Sequence, residues 1–219
     1  MSSLIFYTDE TQALIATDTL ATSDKICGAP FKFTTKAFII PHLRTVIAGI
    51  GQGGFCGRWF VHINDWMVAN EINSLNIHAP HSLALLWSSY KKEFTIPDHA
   101  TVKIFHFGFS EENMLINSYL YSSVKNFESE AIPYGLFGKP EFNVHVSSEL
   151  DKPPKDFKFM MDSQRELQSS EAKENRVYIG GEIQLIRLDK NGFAVSYPGK
   201  FDDYSADEAA IYQNYSNNA

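Results

Sequence analysis

The sequence predicts a mixed α+β protein: two antiparallel β-sheets packed face to face, with helices on the outside. Three observations predict it. The chain opens on a strand, a polar turn and a second apolar strand. The order of elements is strands, helices, strands, helix, strands. The late Asp189-Lys190-Asn191-Gly192 joins two apolar runs, and Asn-Gly is a strong hairpin signal. A doubly wound parallel sheet needs strict strand–helix alternation, which the first forty residues lack.

Residues 2–8 and 12–18 read as the opening hairpin, turning at Asp9-Glu10-Thr11. Residues 19–30 read as a loop or irregular edge. Phe31 to Phe33 and Lys36 to Ile40 are short strand candidates, rich in aromatic and β-branched residues. Arg44 to Ile50 is a continuous apolar run, the mark of a buried strand. Gly51-Gln52-Gly53-Gly54 leads into a helix of about eighteen residues, with Phe55, Trp59, His62, Ile63, Trp66 and Met67 at three- and four-residue spacings. Asn73 to Pro80 reads as a loop, and Ser82 as the cap of a second helix ending near Phe94. Thr101 to Phe109 and Leu115 to Tyr121 are paired strands about a Ser110–Asn113 turn. Residues 127–150 leave short strands and loops open. Pro153-Pro154 starts a helix carrying Phe157, Met160, Met161 and Leu167. Glu182 to Leu188 and Phe193 to Tyr197 form the last hairpin. The whole chain, 1–219, reads as one domain with a polar tail from about 205 and one short helix at 206–212.

Composition excludes several classes. The net charge of −7, with scattered Lys and Arg, argues against a nucleic-acid or anionic-membrane binder. No apolar run approaches the ~20 residues of a membrane span. The N-terminus lacks a basic n-region, so no signal peptide is expected. Cys27 and Cys56 have neither disulfide-framework nor zinc-site spacing. The sequence therefore implies a reduced, cytoplasmic protein with no cofactor and no metal site.

Three groups of residues carry chemistry. Ser2 follows the initiator Met1. Once Met1 is removed, Ser2 supplies a hydroxyl nucleophile and an α-amine with a pKa of about 7.7–8.0. Asp18 ends an apolar strand across the hairpin from the chain start, where a carboxylate is costly unless paired. Lys36 opens a strand that can lie beside it, and the two read either as an activating pair or as a structural ion pair. Gly49-Ile50-Gly51-Gln52-Gly53-Gly54 satisfies G-x-G-x-x-G, with Glu71 17 residues further on. One reading is a dinucleotide fingerprint. The other is a set of glycines that lets backbone N–H groups approach a reacting atom, with Gly49 leaving room for a substrate chain. The seven His are dispersed, and Pro80 separates His78 from His81.

In order along the chain, these residues resemble the proteasome β-subunits and their bacterial relatives, which are N-terminal nucleophile (Ntn) hydrolases. The resemblance rests on Ser2 with Ile15-Ala16-Thr17-Asp18, on Lys36-Ala37-Phe38-Ile39, and on Val46-Ile47-Ala48-Gly49. It continues late in Gly180-Gly181-Glu182-Ile183, Asp189-Lys190-Asn191-Gly192-Phe193 and Val195. It implies a four-layer αββα sandwich and amide or peptide hydrolysis, with Ser2 as nucleophile, Asp18 and Lys36 as its activating pair and the Gly49 N–H as oxyanion donor. It implies self-association, in rings, and a peptide or small amide substrate. Phe55, Trp59 and Trp66 on the first helix are the apolar residues expected to serve that association. Family members usually have Thr as nucleophile, and Asp and Ser before the late Gly-Gly. Arg176 and Ile179 stand there instead, with Asn175 as a substitute. Ser129 and Ser147 are the candidates for the family's mid-chain Ser. An inactive Ntn-fold scaffold or binding protein is the alternative, and a dinucleotide-binding enzyme using Gly49–Gly54 the remote one.

Overall fold

The inner strands of this chain are apolar on both faces, and the architecture follows from covering both. The computed structural model describes residues 3–23, 28–142, 156–173 and 175–218. The first strands are β1 (Leu4–Thr8), β2 (Gln12–Asp18), β3 (Leu20–Thr22), β4 (Pro30–Phe33), β5 (Ala37–Ile40) and β6 (Thr45–Gly51). Helices α1 (Gly53–Trp66) and α2 (Ile72–Glu93) follow. Next come β7 (Val102–Phe109), β8 (Ile116–Ser122), β9 (Ser129–Ala131) and β10 (Gly135–Lys139). The chain closes with α3 (Phe157–Ser169), β11 (Glu182–Asp189), β12 (Gly192–Lys200) and α4 (Tyr204–Asn218). No helix among the described residues is long and apolar enough to cross a membrane.

Two five-stranded antiparallel sheets form, in the orders β10-β1-β2-β11-β12 and β5-β6-β7-β8-β9; β3 and β4 make a separate ribbon. Alternation along β1 and β2 explains the packing, because successive side chains point to opposite faces. Leu4, Phe6, Ala13 and Ile15 join Val46, Ala48, Phe105 and Phe107 of the second sheet in one cluster. Ile5, Tyr7, Leu14 and Ala16 join Phe157, Met160 and Met161 of α3 in another. The far side of the second sheet (Ile40, Ile47, Ile104) packs on Phe55, Trp59 and Ile63 of α1 and Leu75, Leu83 and Trp87 of α2. All of β1 is buried, which is why it reads as an unbroken apolar run.

Four expectations differ from the structure. Asn73 to Pro80 is helix, the first turns of α2, and Pro80 lies inside it. The start is set by a capping box: the Glu71 side chain accepts from the Ser74 backbone, and the Ser74 hydroxyl accepts from the Glu71 backbone. This reverses the usual order of the two residue types, so it hides behind a polar, Pro-containing stretch. His78 and His81 therefore share one helix, and both are exposed. Helix α1 stops at Trp66, short of eighteen residues. The tail is a longer helix than 206–212, stacked on the ribbon through Tyr204 and Phe33, whose ring centroids lie 4.8 Å apart.

Candidate functional site

Asp18 is the last residue of β2 and is fully buried. A carboxylate there must be satisfied by donors. Its Oδ1 accepts from the Ser3 backbone N–H at 2.9 Å and from Lys36 Nζ at 2.7 Å. Its Oδ2 accepts from the Gly180 N–H at 3.1 Å. The Ser3 bond continues the hairpin register, since Leu4 pairs with Thr17. The Gly180 bond depends on a close backbone approach. Leu20 N donates to Gly180 O and Thr19 N to Glu182 O. Gly181 has a φ of +78°, and a Cβ on it would fall 2.4 Å from Thr19 Oγ1. Only glycine fits, so the late Gly-Gly delivers a donor to Asp18.

Lys36 lies just before β5 and is also buried. Its Nζ donates to Asp18 and, at 2.6 Å, to Leu20 O. Burial pushes its pKa below the ordinary lysine value, and the charge and hydrogen bond of Asp18 push against that without cancelling it. A lysine depressed in this way gives up and takes back a proton more readily than a surface one.

Asp18 and Lys36 are thus brought together, as the sequence predicts. Ser2 lies outside the described residues. Gly49 sits at the same end of the β5–β6 ladder as Lys36: Ala37 pairs with Ala48, and Lys36 and Gly49 are the next residues on each strand. The room left by its missing Cβ is not for a substrate, however. A Cβ there would lie 2.6 Å from Cys56 Cβ and 3.3 Å from Ile104 Cδ1, so Gly49 is small to let α1 pack on β6.

The other glycines of that motif are explained the same way. A Cβ on Gly51 would meet Thr101 O at 2.3 Å, and one on Gly54 would meet the Tyr90 hydroxyl at 2.3 Å. Glu71 is occupied in capping α2 and in accepting from Ser110 Oγ and the Glu111 N–H. β6 pairs antiparallel with both neighbours. These residues do not build the parallel βαβ unit of a dinucleotide fingerprint.

Several supporting candidates lie elsewhere. Ser129 is exposed and donates to Asn76 Oδ1 at 2.6 Å, on the α2 side. Asn175 is exposed. Ile179 is buried in the apolar cluster against α3, and the Arg176 guanidinium donates to the carbonyls of Ser169 and Glu171. Ser147 and Cys27 lie outside the described residues. Phe55 and Trp59 are core residues, while Trp66 is 77% exposed.

Sequence reading missed Ser3 and Gln164. The Ser3 hydroxyl donates to Gln164 Oε1 at 2.5 Å, and Gln164 is fully buried. A signal was present: Gln164 occupies the i+7 position of the Phe157, Met160, Met161 stripe, where an apolar residue is expected. A cavity of ≈ 540 Å³ opens between the edge strands β9 and β10, lined by Phe6, Lys103, Phe105, Leu136, Phe137 and Lys139 among others. Asp18 and Lys36 do not line it. Compared with known proteins, the chain matches no family model and no curated protein.

Proposed function

We propose that this chain is an Ntn hydrolase of the proteasome-like kind, cleaving an amide or peptide bond through Ser2 after removal of Met1. The buried Asp18–Lys36 pair, bonded to the Ser3 N–H at the very start of β1, is the observation that carries the reading. In this scheme the Ser2 hydroxyl attacks the carbonyl and its own α-amine takes the proton. The proton then passes to the leaving amine. Water attacks the resulting ester and releases the acid, restoring the hydroxyl. The Gly49 N–H is the proposed oxyanion donor. Lys36 lowers the cost of deprotonating Ser2, and Asp18 holds Lys36.

The packing order supports the finer fold expected of such enzymes. Apolar clusters between α1/α2 and one sheet, between the two sheets, and between the other sheet and α3 are what a four-layer αββα sandwich produces. Self-association belongs to the same proposal, with the exposed Trp66 and Val68 at the end of α1 as its apolar contacts in place of Phe55 and Trp59. So does a cytoplasmic setting.

A second reading, the same fold kept as a binding scaffold without hydrolysis, is favoured by Ile179 and Arg176. Ile179 packs in an apolar cluster, the Arg176 guanidinium is taken up by the Ser169 and Glu171 carbonyls, and neither supplies a polar group to Asp18. One experiment separates the two. Incubation with a β-lactone probe, followed by intact-mass and peptide analysis, should place one adduct on Ser2 of a chain lacking Met1. Ser2→Ala should take up none while melting as the wild type does. Absence of an adduct on wild-type protein favours the scaffold.

A further inference from the structure

We propose that Gln164 is a positioning residue that holds Ser3, and through it the chain start, in register with Asp18 and Lys36. The inference rests on the hydrolase reading above. It starts from the stripe of α3. Phe157, Met160, Met161 and Gln164 recur at i, i+3, i+4 and i+7, and all four are buried. Three are apolar and pack under β1 and β2. A methionine at the fourth position would fill similar space, so packing does not call for an amide. Burying an amide without partners is costly, so its bonds explain its presence.

Those bonds have only one sense. Gln164 Nε2 donates to Pro140 O, just beyond β10, and a carbonyl can only accept. The side-chain oxygen is therefore left for Ser3, and the Ser3 hydroxyl must donate to it. Ser3 is then anchored twice. Its hydroxyl is tied to α3, and its backbone N–H to the same Asp18 oxygen that accepts from Lys36. Chain ends fray unless tied down. Two anchors from different elements restrict the residue adjoining the proposed nucleophile far more than one strand bond does.

The test compares β-lactone labelling of wild type, Gln164→Met, Ser3→Ala and the double variant by time-resolved intact mass, together with amide hydrogen exchange at Ser3. The maximal labelling rate of Gln164→Met should fall by about a hundredfold, the scale of a small misplacement of a reacting group. The probe concentration giving half that rate should stay within about twofold, because substrate contacts are untouched. Ser3 amide exchange should rise by at least about tenfold. Ser3→Ala should lose a similar factor in rate, and the double variant little more, as expected of one coupled unit. Wild-type labelling rates in Gln164→Met, or unchanged Ser3 exchange, would overturn the inference. If Gln164→Met does not fold, Ser3→Ala decides alone: a wild-type rate overturns the inference. A wild-type protein that takes up no probe overturns the hydrolase reading, and this role with it. That failure is distinct from a labelled wild type with an equally labelled variant.

Discussion

Two of the polar groupings buried among the described residues handle charge in opposite ways. At one end of the sheets, Lys36 is ion-paired to Asp18, whose oxygens also accept two backbone N–H bonds. In the middle of the second sheet, Trp59 Nε1 donates to His106 Nε2 at 2.8 Å, behind α1 and α2. The His106 ring lies parallel to that of Trp59, centroids 6.0 Å apart, and 4.6 Å from that of Tyr121. Among the described residues no carboxylate acts on His106, and burial alone pushes its pKa down to about 3. It is therefore a neutral imidazole at any ordinary pH. With Nε2 accepting, the proton sits on Nδ1, which has no hydrogen-bond partner among the described residues. Burial acts on Lys36 in the same direction, but Asp18 opposes it. A buried group keeps usable proton chemistry when a fixed counter-charge stands beside it. Without one, burial removes the charge, and the group serves packing. The first grouping also adjoins the chain start, whereas the second is sealed by aromatic rings.

The comparison is most easily broken at Asp18. Asp18→Asn leaves Lys36 buried without its counter-ion, and breaking a buried pair in this way costs about 3–5 kcal/mol. Urea titration should show that loss, with the aromatic signal of the Trp59 region unchanged in the folded baseline. Wild-type stability would mean that the pair is solvated and unlike the second grouping only in name.

His106 predicts a smaller, pH-dependent effect. Its folded pKa lies below the ordinary histidine value of 6.5, so the unfolded chain binds a proton that the native one refuses. The stability it contributes is complete above pH 6.5 and is lost as pH falls towards 3. Between pH 8 and pH 5 the loss from this residue is about 2 kcal/mol. His106→Phe should flatten that part of the stability profile, although the orphaned Trp59 N–H lowers it throughout by about 1–3 kcal/mol. A wild-type profile unchanged by His106→Phe would show that the imidazole binds its proton equally well in the folded and unfolded chain.

What the sequence made legible was local. The opening hairpin, β6, the β7–β8 pair and the Asn191-Gly192 hairpin each carry their own periodicity and turn residues. The first turns of α2 do not, because Glu71 and Ser74 cap in the less familiar order and Pro80 sits inside the helix. At the site, Asp18 and Lys36 could be paired from their places at strand ends. The reasons for Gly49, Gly51, Gly54 and Gly181 could not be read, because each answers to atoms that only folding brings against it: those of Cys56, Thr101, Tyr90 and Thr19. The Gln164 amide was visible as a polar residue on an apolar stripe, but its partners, Ser3 and Pro140, adjoin β1 and β10 and meet it only in the folded chain.

The central claim is that the Asp18–Lys36 pair serves chemistry at the chain start and is more than a tie between strands. The double variant Asp18→Asn/Lys36→Met tests it directly, because it removes both charges and leaves neither one stranded. Its rate of β-lactone labelling is the measurement. The account predicts a protein that folds, is more stable than Asp18→Asn alone, and labels at least about a hundredfold more slowly than wild type, the range of a lost acid–base partner. A folded double variant that labels at the wild-type rate would contradict it.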